Sequence, residues 1–184
     1  MDQVVNVFSK GGLVIMPTDT IYGILGDATN EEAIKKVFAV KNRDDNKPLL
    51  ILVNGIDMLK RYVVDINNLE NKLIKQYWPG PLTIIFKKKN INDLLTCGKD
   101  TIGVRYPDDD RLLELITKLD RPLFSTSVNI SGEANVTCLD DVQKSILDNV
   151  DYIIDEGECN NSSSTIVAVI NNQIKVLREG SIKI

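Results

Sequence analysis

The sequence predicts an α/β domain built on a mixed, open sheet flanked by helices. Three observations predict it. Pro48-Leu49-Leu50-Ile51-Leu52-Val53 is a continuous apolar run short enough for a strand buried on both faces, as in sheets covered by helices. Runs of this kind alternate along the chain with segments whose apolar residues recur at helical spacing, such as Ala33, Ile34, Val37 and Phe38. Asn171-Asn172 divides two β-prone runs in the manner of a hairpin turn, so antiparallel pairs are expected beside parallel ones.

Val4, Val7 and Phe8 fall at helical spacing before Gly11-Gly12, which predicts a short opening helix with a glycine stop. Leu13 to Met16 reads as a buried strand. Thr29 to Glu32 has the form of a capping box, and the helix it opens runs to about Ala39. After the strand in Pro48 to Val53, two weaker helices are expected near Ile56 to Val63 and Leu69 to Tyr77. Leu82 to Phe86 and Thr101 to Arg105 are strands, the second leading through Pro107 into an Asp-rich helix start whose buried side is Leu112, Leu115, Ile116 and Leu119. Further strands are expected at Pro122 to Phe124, Tyr152 to Ile154, Thr165 to Ile170 and Ile174 to Leu177, with one helix around Leu139 to Leu147. No repeat or proline-rich linker interrupts the chain, so the 184 residues are expected to form a single domain, 1–184.

Composition narrows the chemistry. The chain has no histidine, which excludes Ser-His-Asp and Cys-His nucleophile systems, HExxH zinc hydrolysis and histidine-ligated metals. Cys97, Cys138 and Cys159 are odd in number and lack a CxxC pair, so neither a disulfide framework nor a protein-ligated metal is expected. A net charge of −4 argues against a surface that is basic all over, so any phosphate site must be local. No basic stretch leading into an apolar run opens the chain and no apolar run approaches membrane-spanning length, so a cytoplasmic protein with no membrane partner is expected.

Four segments can carry chemistry. Pro17-Thr18-Asp19-Thr20 gathers two hydroxyls and a carboxylate at a strand end, where open sheets bind ligands, although such a turn can also serve only to cap local backbone. Lys41-Asn42-Arg43 with Lys47 frames one short loop with cations, which suits either a helix C-terminus or a triphosphate clamp. Arg105 ends a strand with Thr101 and Gly103 behind it, a position from which a guanidinium can offer a bidentate fork to a carboxylate or join a salt bridge. Ser125-Thr126-Ser127-Val128-Asn129-Ile130-Ser131-Gly132 is a dense run of hydroxyl and amide donors. Trp78-Pro79-Gly80-Pro81 is a rigid turn whose tryptophan is expected to pack a helix-strand corner.

Taken together and in this order, the Pro17 to Gly23 segment, Lys41-Asn42-Arg43 with Lys47-Pro48-Leu49, Trp78 to Thr83 and Ser127 to Gly132 resemble the YrdC-like threonylcarbamoyl-AMP synthases. Thr101 to Pro107, Ser164 to Val167 and Leu177 to Gly180 extend the resemblance over nearly the whole chain. It implies a twisted open α/β sheet around a concave basic cavity, and an enzyme of the nucleotidyltransferase class that forms threonylcarbamoyl-adenylate and pyrophosphate from L-threonine, bicarbonate and ATP with Mg2+. By resemblance, ATP meets Lys41, Arg43, Lys47, Thr101, Ser127, Asn129, Asn135 and Arg178, with Lys41 and Arg43 as the catalytic cations. Threonine meets Thr20, Arg105, Ser125 and Ser164, Arg105 facing its carboxylate. The implied partners are the machinery that carries the threonylcarbamoyl group to tRNA, and weak contact with tRNA itself. Leu52 departs from a histidine that some members carry near threonine, and the ending at Ile184 matches the short, single-domain branch. A non-catalytic RNA-binding module is the alternative reading, disfavoured by an aromatic content of 5% and an excess of acids over bases; a threonine or nucleotide sensor is another.

Overall fold

The computed structural model describes residues 1–42, 46–130 and 136–184. Helix α1 (Asp2–Ser9) is followed by β1 (Val14–Met16), β2 (Gly23–Asp27), α2 (Glu31–Val40), β3 (Leu50–Leu52), α3 (Ile56–Tyr62), α4 (Asn68–Tyr77) and β4 (Leu82–Lys87). Then come α5 (Asp93–Thr96), β5 (Thr101–Arg105), α6 (Asp110–Leu119), β6 (Leu123–Ser127), a 3-10 turn (Leu139–Asp141), α7 (Lys144–Leu147), β7 (Tyr152–Ile153), β8 (Thr165–Ile170) and β9 (Gln173–Arg178). Among the described residues these nine strands make one sheet in the order β7-β1-β2-β6-β3-β5-β4-β8-β9. Pairing is mixed: β1 with β7, β3 with β5 and β4 with β8 are parallel, and the remaining neighbours are antiparallel. No helix among the described residues is long and apolar enough to cross a membrane.

The twisted, helix-flanked mixed sheet is the expected architecture, and the expected hairpin joins β8 to β9 through Asn171 and Asn172, both with positive φ as a tight turn of that hand requires. Trp78 packs edge-on against Phe86 with ring centroids 6.2 Å apart and donates its Nε1–H to Leu82 O at 2.6 Å, so it braces the corner between α4 and β4. Two local expectations are corrected, and one strand is added. The cap of α2 is Asn30, whose side chain accepts from the N–H groups of Glu32 and Ala33, while Thr29 Oγ1 donates instead to Asp27 Oδ1. The expected helix over Leu139 to Leu147 is a 3-10 turn and a four-residue helix, broken where Val142 and Gln143 turn extended. Strand β2 was unforeseen because Gly23-Ile24-Leu25-Gly26-Asp27 is interrupted by glycine; a Cβ on Gly26 would meet the Phe124 ring at 2.3 Å, so packing against β6 requires that glycine.

Strand periodicity creates the two sides that matter. In β5, Ile102 and Val104 join the buried core, while Gly103 and Arg105 project to the opposite face; in β4, Ile84 and Phe86 are core and Thr83 and Ile85 share the face of Gly103. Ser125, Leu50, Gly103 and Ile85 are cross-strand neighbours on adjacent strands β6, β3, β5 and β4, so they form a continuous floor.

A candidate anion-binding cavity

Above that floor lies a cavity of about 260 Å³. Gly103 keeps it open: a Cβ there would meet Thr83, Ile85 and Leu50 at 3.2 to 3.4 Å. Its polar wall is supplied by Thr18 and Thr20 from the loop after β1, Ser125 and Ser127 from β6, Arg105 from β5, Thr83 from β4, Ser164 from the loop before β8, and Arg178 from the end of β9. Among the described residues no carboxylate lines it.

Arg105 sits at the base with 3% of its surface exposed. Its Nη1 is paired with Asp19 Oδ1 at 2.5 Å, and Asp19 Oδ2 accepts the Asp108 N–H at 3.2 Å. Its Nε is the one buried side-chain polar atom among the described residues with no hydrogen-bond partner. An unmet donor in such a place costs about 1 to 3 kcal/mol, so the protein gains when an acceptor fills it.

Arg178 lies at the rim, exposed as a residue but with its guanidinium drawn in against Ser164. Its Nε and Nη2 donate to Ser164 O at 3.2 and 2.6 Å, Nη2 also reaches Ser164 Oγ at 3.1 Å, and Ser164 Oγ and Thr83 Oγ1 are 2.9 Å apart. Burial, and after it the positive charge of Arg105, lowers the Arg178 pKa. Two guanidiniums that repel each other across one cavity make a receptor for negative charge. On the opposite wall Thr18 Oγ1 donates to Ile21 O at 2.7 Å and lies 3.0 Å from Thr20 Oγ1, which fixes the hydroxyl pair.

All four expected threonine contacts, Thr20, Arg105, Ser125 and Ser164, line this cavity, together with Ser127 and Arg178 from the expected nucleotide set. Lys41 does not line it. Only 1% exposed, Lys41 directs its ammonium at Ser127 O, at Asn129 O (2.6 Å) and at Asn129 Oδ1 (3.1 Å), and Ser127 Oγ donates to Asn129 Oδ1 at 2.5 Å. Lysine 41 therefore ties α2 to the loop that follows β6. Lys47 is exposed outside the cavity. Thr101 is exposed at the far end of β5, on the cavity face but four residues, roughly 13 Å, from Arg105. Arg43 and Asn135, with Asp44, Asp45, Ser131 and Gly132, lie outside the described residues. Thr83 was missed as a site residue, although a lone hydroxyl in the apolar run of β4 was a signal for it. Asp19, the carboxylate of the Pro17 to Thr20 turn, is the ion-pair partner of Arg105.

An open mixed sheet that presents two guanidiniums and a row of hydroxyls above a glycine floor is an α/β domain with a candidate anion-binding cavity. Comparison with known proteins gives the family. Residues 6–180 match the model of the Sua5, YciO and YrdC proteins, described as telomere recombination. A Methanocaldococcus jannaschii protein is 44% identical over 177 residues, 95% of this chain and 83% of that one. The threonylcarbamoyl-AMP synthase of Pyrococcus abyssi is 33% identical over 175 residues; these are 94% of this chain but 52% of that protein, so the chain spans about half its length. The crystal structure of P. abyssi Sua5 complexed with L-threonine superposes with a TM-score of 0.90 at 32% identity, covering 97% of this chain and 53% of that one. The chain belongs to the YrdC/Sua5-like threonylcarbamoyl-AMP synthase family.

Proposed function

We propose that this protein is itself a threonylcarbamoyl-AMP synthase, joining L-threonine, bicarbonate and ATP into threonylcarbamoyl-adenylate with release of pyrophosphate and water. The observation that carries this reading is the buried, unpartnered Nε of Arg105 at the base of a cavity that no carboxylate of the described residues lines. An amino-acid carboxylate supplies the missing acceptor in a charge-assisted bond. Thr20, Ser125 and Ser164 surround it with hydroxyls that suit the ammonium and side chain of threonine.

The amine of threonine attacks the carbon of bicarbonate, a C–N bond forms and water leaves. The new carbamate oxygen attacks the α-phosphorus of ATP, and the bond to the β-phosphate oxygen breaks. Anion meets anion in that step, so the protein's contribution is positive charge held in place beforehand, without a protein nucleophile. A cavity of about 260 Å³ holds an amino acid but is below the ~300 to 1,000 Å³ of sites for larger ligands. The nucleotide therefore lies across the rim, toward Arg178, Ser127 and, further along β5, Thr101. Lys41 serves it by fixing the Ser127 to Asn129 loop; Arg43, Lys47 and Asn135 complete the proposed nucleotide set. Among the described residues no carboxylate lines the cavity and no cluster of acidic or thiol ligands forms. Mg2+ fits as the counter-ion that the triphosphate brings. A mixed anhydride of this kind is consumed by acyl transfer, here to tRNA by a downstream partner.

Release of pyrophosphate by the purified chain tests the reading. It is expected only when L-threonine, bicarbonate and ATP are all present; release without threonine, or none in any mixture, contradicts it.

A further inference from the structure

We infer that Cys138 and Cys159 are partners in a reversible disulfide, a redox-modified site outside the cavity whose closure draws Cys159 away from Thr20. The bridge follows from the placement of the two thiols alone; its effect on threonine rests on the synthase reading above.

The two cysteines come from different connections. Cys138 stands immediately before the 3-10 turn that follows β6, and Cys159 lies between β7 and β8. One backbone hydrogen bond brings them together: the Cys159 N–H donates to Thr137 O at 2.7 Å. Cys138 follows Thr137, so by standard bond lengths its Cα is roughly 2.8 Å from that oxygen, and the Cα of Cys159 is roughly 3.6 Å from it. The two α-carbons therefore stand at most about 6.5 Å apart, inside the ~6.8 Å that disulfides span.

Both residues are half-buried, so a small oxidant reaches them. Cys138 Sγ donates to Asp141 Oδ2 at 3.1 Å and Cys159 Sγ to Thr20 O at 3.4 Å, weak thiol bonds that a rotation about χ1 exchanges for each other's sulfur. The hydrogen bond to the Asp141 carboxylate raises the Cys138 pKa, which favours its thiol over its thiolate and slows its reaction at rest. A disulfide oxidant drives closure. One cysteine thiolate attacks a sulfur of the oxidant and expels one thiolate; the second cysteine thiolate then attacks the protein-bound sulfur and expels the other. Two protein thiols are oxidised to one S–S bond, the oxidant is reduced to two thiols, and the two protons pass to the expelled thiolates.

Closure is felt at Thr20. Residues 155–161 are stitched to the turn over residues 19–22: Tyr22 OH donates to Gly157 O at 2.9 Å and accepts the Glu156 N–H at 3.0 Å, Asn161 Nδ2 donates to Asp19 O at 3.4 Å, and Cys159 holds Thr20 between them. Turning Cys159 Sγ toward Cys138 removes the stitch on Thr20 itself, whose residue lines the cavity. The bridge thereby loosens one wall of the amino-acid site.

The test treats the full chain with an excess of oxidised glutathione, caps remaining thiols with iodoacetamide and maps the peptides by mass spectrometry. A Cys138–Cys159 cross-link is expected, opened again by dithiothreitol, with Cys97, which ends α5, left out of it. Glutathione on separate cysteines without a cross-link, or a bridge that includes Cys97, overturns the pairing; so does a cross-link that persists in Cys138→Ser. Calorimetric titration of L-threonine reads the consequence. The bridged protein is expected to bind about threefold or more weakly than the reduced one, and a bridged protein with an unchanged Kd overturns the switch. Cys159→Ser keeps a donor for Thr20 O and is expected to lose both the cross-link and the response to oxidant; a response that persists there also overturns the switch. A reduced wild type that binds no threonine sinks the synthase reading alone, because the cross-link is read without substrate.

Discussion

Arg105 has two duties in the proposed reaction: its Nη1 pairs with Asp19 at 2.5 Å, and its buried Nε, which has no partner, is proposed to meet the threonine carboxylate. Arg105→Lys separates those two duties. Lysine can keep the ion pair with Asp19, so the fold should survive with its melting temperature nearly unchanged, but it has no rigid fork to give a carboxylate. We expect the KM for L-threonine to rise about ten- to a hundredfold, the loss of one or two charge-assisted hydrogen bonds, as read from pyrophosphate release at saturating ATP and bicarbonate. Much of this was legible in the residues themselves. Arg105, Ser125 and Thr20 were conspicuous as polar groups at the ends of apolar runs. What Lys41 does was not legible. Its charge announces a phosphate ligand or a helix-end cation equally well, and only tertiary structure shows the ammonium buried against Ser127 and Asn129, more than eighty positions away.

At the scale of elements, α4 offers a test by pH. Asn67 caps it, accepting from the N–H groups of Leu69 and Glu70, and Glu70 Oε2 accepts the Asn67 N–H in return at 2.8 Å. Burial raises the Glu70 pKa above the ordinary glutamate value of 4.5, opposed in part by that backbone hydrogen bond. A raised carboxyl pKa means the folded state binds the proton more tightly than the unfolded one. Its contribution is fullest below the unfolded pKa and is lost as pH rises through the folded pKa. Glu70→Gln keeps an acceptor for Asn67 and removes the titration. In urea melts from about pH 4 to about pH 7 the wild type should lose stability relative to Glu70→Gln as pH rises; a difference that grows in the wild type's favour contradicts the account. This capping box fits the sequence rule, whereas the one expected at Thr29 yielded to Asn30 because Asp27, fully buried and paired with Arg121, takes the threonine hydroxyl for itself. Short elements were the least legible: β2 was hidden by glycines, and α7 by an apolar spacing that spans a break.

Across the whole molecule, the strand order gathers Thr20, Arg105, Ser125, Ser164 and Arg178 around one cavity. The sheet's middle strands supply the floor and its late strands the rim, so the binding face is assembled from stretches more than 150 positions apart. The mixed sheet and its flanking helices could be read from apolar periodicity, which local sequence carries. The meeting of Arg105 with Arg178 could not, because it depends on the crossover that sets β8 beside β4. That meeting underlies the proposed reaction, the joining of a bicarbonate carbon, an amino acid and an adenylate. The most direct measurement is mass spectrometry of the products formed from ¹³C-bicarbonate, L-threonine and ATP. The account predicts an adenylate bearing both threonine and one ¹³C atom, formed in step with pyrophosphate. An adenylate without the label, or label that never joins the nucleotide while the protein remains folded, would contradict it.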